Sequence, residues 1–204
     1  MSLTDKIKAN PKLKKIAHWL IVPTNDHRPR LWVRLFVNPF KHKKGNGSII
    51  RMRNRMDVFP FNDFQLGNKS IVEDFVTINN GVGSVLIGNE SIIGIGSVVI
   101  GPVTIGDYVM IAQNVVISGL NHGYQDVSLP PSKQEDIRKQ ITIGDNVWIG
   151  ANSVVTAGID IGKHSVIGAG SVVTKSIPEY CVAVGNPAKV VKKYIKETAS
   201  WEKV

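Results

Sequence analysis

IGDNVWIGANSVVTAGIDIGKHSVIGAGSVV, residues 143–173, decides the fold. Isoleucine or valine returns at every sixth position: Ile143, Ile149, Val155, Ile161, Ile167 and Val173. An earlier stretch repeats the rhythm at Ile87, Ile93, Val99, Ile105, Ile111 and Ile117, and glycine follows the marker in seven of the twelve hexads. A helix repeats every 3.6 residues and a simple strand every 2, so neither fits. Six is the period of a coil wound from flat faces, one hexapeptide per face. Three faces give about 18 residues per coil, and coils stack at strand spacing, roughly 4.8 Å. Each marker then points inward onto the residue one coil away, Ile87 under Ile105 and Ile149 under Ile167. Ser97, Ser153 and Ser171 take a second inward position, and Gly106-Asp107 and Gly144-Asp145-Asn146 suit tight corners.

Working outward, Leu66, Val72 and Ile78 extend the rhythm towards the N-terminus, and the phase slips by three across residues 79–85. That slip reads as a small bulge or loop around Gly81 and Gly83. A longer break spans 118–142, with Asn121, His122, Gly123, Pro130 and Pro131 followed by a charged run from Lys133 to Lys139. The expected organisation is a basic helical or irregular appendage over 1–48, a coil over 49–178 with an extruded loop, and a C-terminal turn and helix over 179–204. A short amphipathic helix is expected over 4–21, capped by Thr4 or Asp5, carrying Ile7, Leu13, Ile16, Leu20 and Ile21, and interrupted at Pro11. Residues 31–37 form a second short apolar segment, helix or strand, packed on the body.

Composition narrows the function. The single cysteine, Cys181, excludes a disulfide framework, and no apolar run reaches membrane-spanning length or resembles a signal peptide. A cytoplasmic protein is expected. Net charge is +9, concentrated in 41–55 (KHKKGNGSIIRMRNR) and around Lys189, Lys192, Lys193 and Lys196. Such patches suit anionic lipid surfaces or phosphorylated small molecules, and the 41–55 run suggests a weak membrane-surface contact. No reader motif supports nucleic-acid binding.

IGDNVWIGANSVV (143–155), IGKHSVIGAGSVVTKSIP (161–178), VGNPAK (184–189) and the histidine-bearing gap together resemble the hexapeptide-repeat acyltransferases, nearest to the sugar O-acetyltransferases of the maltose, galactoside and capsule or colanic-acid type. The resemblance covers about residues 49–196. It implies a mainly β, left-handed parallel β-helix, acetyl-CoA as acyl donor, a saccharide acceptor such as a surface-polysaccharide precursor, and a homotrimer with active sites between subunits. General chirality rules for parallel sheets favour the right hand, so the handedness belongs to the resemblance alone.

Acyl transfer from a thioester to an alcohol needs a base near neutrality, and imidazole fits. The resemblance assigns that role to His122 in SGLNHGYQD. Asp126, Asn121 and backbone carbonyls are the candidates to orient it. The resemblance also implies an oxyanion donor in the N–H of Ala151, and Trp148 as a wall beside thioester and acceptor. Gly168, Ala169 and Gly170 suit close approach of the pantetheine arm. Thr174 and Lys175 are implied beside pantetheine and phosphates, and Lys189 and Lys192 are candidates for the phosphates. Asp57, Asn62 and Asp63 are candidate sugar contacts. The chain departs from the pattern in a basic rather than acidic, tyrosine-rich N-terminal segment (Arg28, Arg30, Arg34) and in Gly94 to Gly96 near where an acceptor-positioning asparagine is expected. His18, His27 and His42 read as surface residues and His164 as an exposed corner residue. Cys181 lacks a neighbouring histidine and is not read as a nucleophile. Three zinc histidines are missing from the coil, so no metal is expected. Transfer to an amine, in an aminosugar or serine, is the alternative within the fold, and a non-enzymatic scaffold is the more distant one.

Overall fold

The computed structural model describes residues 9–24, 26 and 28–204. From Lys43 onward the chain winds as a parallel β-solenoid of about six turns with three faces. Face 1 stacks Lys43–Lys44, Phe64–Leu66, Val85–Ile87, Val103–Ile105, Ile141–Ile143 and Asp160–Ile161. Face 2 stacks Ile49–Ile50, Ile71–Val72, Ile92–Ile93, Met110–Ile111, Trp148–Ile149, Val166–Ile167 and Cys181–Val184. Face 3 stacks Arg55–Asp57, Thr77–Asn79, Val98–Ile100, Val116–Ser118, Val154–Val155 and Val172–Val173.

The register is the one the rhythm predicts. Ile87 pairs with Ile105 and Ile149 with Ile167. Ile105 pairs with Ile143 and Ile117 with Val155, so the coil continues across the long loop. The markers fill one aliphatic column, from Leu66 and Val72 to Ile167 and Val173, each fully buried. Burying each such side chain contributes about 1.5–3 kcal/mol.

Small polar residues survive inside because the coil spacing satisfies them. Ser70 Oγ donates to Gly88 O (2.6 Å) and accepts from Ser91 N (3.0 Å). Ser91 Oγ repeats this with Gly106 O and Val109 N, both at 2.9 Å. At the corner between faces 1 and 2 a side-chain ladder caps the backbone: Asn68, Asn89, Asp107 and Asp145 each accept through Oδ1 from the backbone N–H of Asn46, Asn68, Asn89 and Asp107 respectively.

Every departure from six falls at one corner, between face 3 and the next face 1. Ten residues separate Met56 from Leu66, nine separate Ile78 from Ile87, and twenty-six separate Ile117 from Ile143. The phase slip at 79–85 is therefore an enlarged corner rather than a strand bulge. Asn80, fully buried, holds it: Oδ1 accepts from Phe59 N (2.6 Å) and Nδ2 donates to Phe59 O and Asn62 O (both 3.0 Å). The same corner, higher up, releases the histidine loop.

Among the described residues the appendage carries a helix at Pro11–Ile21, with helical Ala9 before it and the break at Asn10, beside the expected interruption at Pro11. Asn10 Oδ1 caps it, accepting from Lys12 N (3.0 Å) and Leu13 N (3.3 Å). Thr4, Asp5 and Ile7, and His27, lie outside the described residues. Two short helices, Leu31–Phe36 and Asn38–Lys41, then clamp onto the first coil. Val33 is fully buried, Asn38 Nδ2 donates to Val58 O (2.7 Å), and Lys41 pairs with Asp63 (2.6 Å). His42 is not a free surface residue. Its Nδ1 accepts from Phe64 N (3.2 Å), and burial, helped by Lys41, holds its pKa below the ordinary value.

The C-terminal helix expected from the lysine-rich tail is not there. Residues 181–203 instead form strands Cys181–Val184, Lys189–Ile195 and Ser200–Lys203, joined antiparallel and continuing face 2. The last coil would otherwise end in an open edge. Val190, Val191, Tyr194, Ile195 and Trp201 are strand formers, and pairing along that edge outweighs the helix preference of the lysines.

Candidate active site

The loop that leaves face 3 after Ser118 starts as an antiparallel ribbon, Leu120–Asn121 against Ile137–Arg138. The next cross-strand neighbours are His122 and Asp136, and their side chains meet: Nδ1 lies 2.8 Å from Asp136 Oδ1. A carboxylate only accepts, so Nδ1 carries a proton, and in the neutral ring Nε2 keeps its lone pair. The His122 side chain is 66% exposed and that of Asp136 35%, so the imidazole is open to a second reactant. The loop behind them is knitted by Gln134, whose Nε2 donates to Asp126 O and Leu129 O (both 2.9 Å) and whose Oε1 accepts from Asp126 N (3.1 Å). Gly123 is buried, and a Cβ there would lie 2.7 Å from Glu135 O.

Asp126 does not orient His122. Its Oδ1 accepts from Ser128 Oγ (2.6 Å) and Ser128 N (2.9 Å), and these bonds, the hydroxyl first, hold its carboxyl below the usual range. Asp136 was hidden within the charged run. Its signal is the short apolar alternation on both sides of the gap, LNH against DIR, which closes a ribbon and makes 122 and 136 partners. Asp136→Asn is expected to cut kcat about 10²-fold with little change in KM, because an amide no longer fixes the Nδ1–H tautomer. The kcat–pH profile should shift with it, which a merely structural role would not produce.

The other expected site residues are split across the solenoid. Ala151 sits at the corner between faces 2 and 3, and among the described residues its N–H meets no acceptor. Its carbonyl accepts from Gly170 N (2.8 Å), so Gly168, Ala169 and Gly170 occupy the same corner one coil on. Gly170 has φ +70° and open space where a Cβ would stand. Trp148 projects from face 2, half exposed, between Met110 and Val166. Thr174 and Lys175 are exposed at the opposite end of face 3, above the loop's exit. Lys189 and Lys192 lie on the C-terminal hairpin, paired with Val184 and Val182. One face is a hexad wide, roughly 20 Å at 3.3 Å per residue, so His122 and the Ala151–Trp148 side do not meet within one chain.

Asp57, Asn62 and Asp63 lie at the bottom of the loop's corner and do structural work. Asp57 is buried, bonded through Oδ2 to Arg55 Nε (2.8 Å), and burial raises its pKa against Arg55's pull. Asn62 Nδ2 donates to Asn80 O (2.7 Å), and Asp63 is held by Lys41. Asn121 is exposed on the ribbon beside His122. His164 is exposed but stacked on Tyr180, centroids 5.1 Å apart. Cys181 is buried, and burial pushes its thiol up, so it is no nucleophile. No group of His, Cys, Asp and Glu able to hold a metal occurs among the described residues.

Comparison with known proteins agrees with this fold. Residues 84–119 match the family described as bacterial transferase hexapeptide (six repeats), and residues 140–175 that described as hexapeptide repeat of succinyl-transferase. A protein of Escherichia coli (strain K12), provisionally named a lipopolysaccharide biosynthesis O-acetyl transferase, is 44% identical over 108 residues, 50% of this chain. The chain spans only about half of that relative, 55%. A provisionally named acetyltransferase of Dictyostelium discoideum is 34% identical over 156 residues, 71% of this chain and 79% of the relative. Among solved structures, a maltose O-acetyltransferase from Clostridium difficile superposes with TM-score 0.51 at 29% identity, covering 92% of this chain and 87% of its own.

Proposed function

The chain belongs to the hexapeptide-repeat acyltransferases, and from that premise we propose that it transfers an acetyl group from acetyl-CoA to a hydroxyl of a saccharide, such as a surface-polysaccharide precursor. The observation that carries the reading is the His122–Asp136 pair, which turns Nδ1 of an exposed imidazole to the carboxylate and leaves Nε2 for the acceptor, on a loop thrown out of an otherwise inert scaffold. Nε2 takes the acceptor's proton as its oxygen attacks the thioester carbonyl. The Ala151 N–H donates to the oxyanion of the tetrahedral intermediate. Collapse breaks the carbon–sulfur bond, and the imidazolium returns its proton to the coenzyme A thiolate. Asp136 stabilises the imidazolium in between, and Trp148 walls the acceptor side. The coenzyme arm runs by Gly168, Ala169 and Gly170, with Thr174, Lys175, Lys189 and Lys192 nearest its phosphates.

Because one chain holds these groups apart, the working enzyme is a ring of copies. Face 2 presents an outward apolar column of Ile92, Met110 and Trp148, and face 3 one of Val98, Val116, Val154 and Val172. Two different faces joined head to tail can close a ring, and the resemblance to the hexapeptide-repeat acyltransferases implies three copies. Light scattering is expected to give three times the 22.3 kDa chain mass, and a monomer would overturn the shared site. No described helix is long and apolar enough to cross a membrane. The reading places the protein in the cytoplasm, with the basic 41–55 run near an anionic surface. The decisive experiment screens saccharide acceptors with acetyl-CoA and reads free thiol. Acceptor-dependent thiol release supports the reading, and none with any hydroxylated acceptor overturns it.

A further inference from the structure

Most of the positive charge of this chain lies at its beginning. Residues 1–55 contain fourteen Lys or Arg and two Asp or Glu, whereas residues 56–204 contain eleven and fourteen. The coils are thus acidic and the C-terminal hairpin, with five Lys and two Glu, locally basic, so that the chain's net positive balance comes from the appendage and first coil. That end of the solenoid is also where all three sheets stop: Lys43–Lys44, Ile49–Ile50 and Arg55–Asp57 are the terminal strands of their faces. Lys43, Lys44, Arg51, Arg53 and Arg55 line it, all exposed.

The same end carries apolar side chains that no described residue covers. The helix Pro11–Ile21 has no buried residue, although Leu13, Ile16, Ala17 and Leu20 recur at helical spacing on one side. Ile16 is 55% exposed and Trp19 56%, and beyond it Leu35 is 56%, Phe36 70%, Phe40 89% and Met52 98% exposed. These residues are held out rather than loosely dangling. Arg30 Nε donates to Trp19 O (3.1 Å) while its guanidinium lies 5.0 Å from the Trp19 ring, and Trp32 Nε1 donates to Leu20 O (3.2 Å).

We propose that this end is a docking surface for an anionic lipid bilayer, with the solenoid standing on the membrane by its first coil. Lysine and arginine interleaved with exposed tryptophan, phenylalanine and leucine on a short helix suit the interface, where the charges meet lipid phosphates and the apolar tips enter the acyl boundary. A second copy is the poorer occupant, because it brings the same strongly positive end to meet this one. Nucleic acid would use the charge and leave the aliphatic residues uncovered. The arrangement has a consequence for the proposed reaction, on which this point alone rests. The histidine loop leaves face 3 three strands above Arg55–Asp57, roughly 14 Å at strand spacing. His122 then faces acceptors that project from the bilayer, as a lipid-linked saccharide does.

The test is co-sedimentation of the full-length protein with vesicles of phosphatidylcholine, with and without phosphatidylglycerol. Binding is expected to be at least about 10-fold tighter on the anionic vesicles. A Trp19→Ser, Phe36→Ser, Phe40→Ser variant and an Arg51→Gln, Arg53→Gln variant are each expected to lose about 10-fold. These side chains are exposed, so thermal unfolding should stay unchanged. Absence of binding, equal binding to neutral vesicles, or full binding by the aromatic variant would overturn the proposal. So would tight binding to an RNA homopolymer that outcompetes the vesicles. Thiol release with a soluble acceptor and no vesicles should be equal in all variants, so loss of docking and failure of the transferase reading remain distinguishable.

Discussion

Replacing His122 by alanine is expected to lower kcat for acetyl transfer by about 10²–10⁴-fold while KM for acetyl-CoA moves little. The acceptor hydroxyl is almost wholly protonated at neutral pH, and His122 is the only imidazole on this loop. Asp136 is already engaged with Nδ1, and Asp126 with Ser128. Removal of the imidazole therefore leaves the oxyanion donor and the binding contacts in place but gives the proton nowhere to go. The side chain is mostly solvent-exposed and Gln134, not His122, knits the loop, so thermal unfolding and coenzyme affinity should be unchanged. Steady-state thiol release with acetyl-CoA and a saccharide checks this. Turnover in the variant equal to that of the parent would exclude His122 as the base.

The six-residue rhythm was legible because each inward marker stands at the same point of its face, coil after coil, and only a solenoid makes position i meet i+18. For the same reason the break was legible as the place where the coil releases a loop. What the break contained was less so. Asp136 lies fourteen residues from His122, and only the ribbon of Leu120–Asn121 with Ile137–Arg138 brings them together. The slip at 79–85 was visible as a change of phase, but a one-dimensional string does not say at which corner a residue is added. In the structure it shares a corner with the 58–63 turn and the histidine loop, so the irregularities that looked separate line one edge. Other corners were opaque to turn chemistry: Phe75, Tyr108, His164 and Tyr180 all take positive φ, where asparagine or glycine is the usual choice. The tail misled because lysine-rich segments favour helices, and nothing local announces that an edge strand awaits pairing.

The glycine after the marker can be tested directly. Gly106→Val is expected to destabilise the protein by roughly 3 kcal/mol or more, lowering the melting temperature by about 6 °C or more. Gly45, Gly67, Gly88, Gly106, Gly144 and Gly162 form one column at the corner between faces 1 and 2. Their φ values are ordinary, so conformation is not what selects glycine there. Space is. A Cβ on Gly88 would stand 2.5 Å from Gly106 O, and one on Gly106 would stand 2.8 Å from Asp145 N and 2.9 Å from Gly144 C. The obstacle in each case is the backbone of the next coil, which cannot rotate away as a side chain would. Valine at 106 would also displace the Asp145 carboxylate, whose Oδ1 accepts from Asp107 N at 2.9 Å and so helps fix the coil spacing. Gly170 supplies the contrast. It has φ +70° and nothing within 4 Å of a Cβ, so Gly170→Ala should cost only about 1–2 kcal/mol, and that from backbone conformation. Melting curves of the two variants beside the parent separate the causes. A Gly106→Val protein that melts within a degree or two of the parent would mean the coils can spread at that corner, and the close stacking of Gly88, Gly106 and Gly144 would lose its claim to set the six-residue signature.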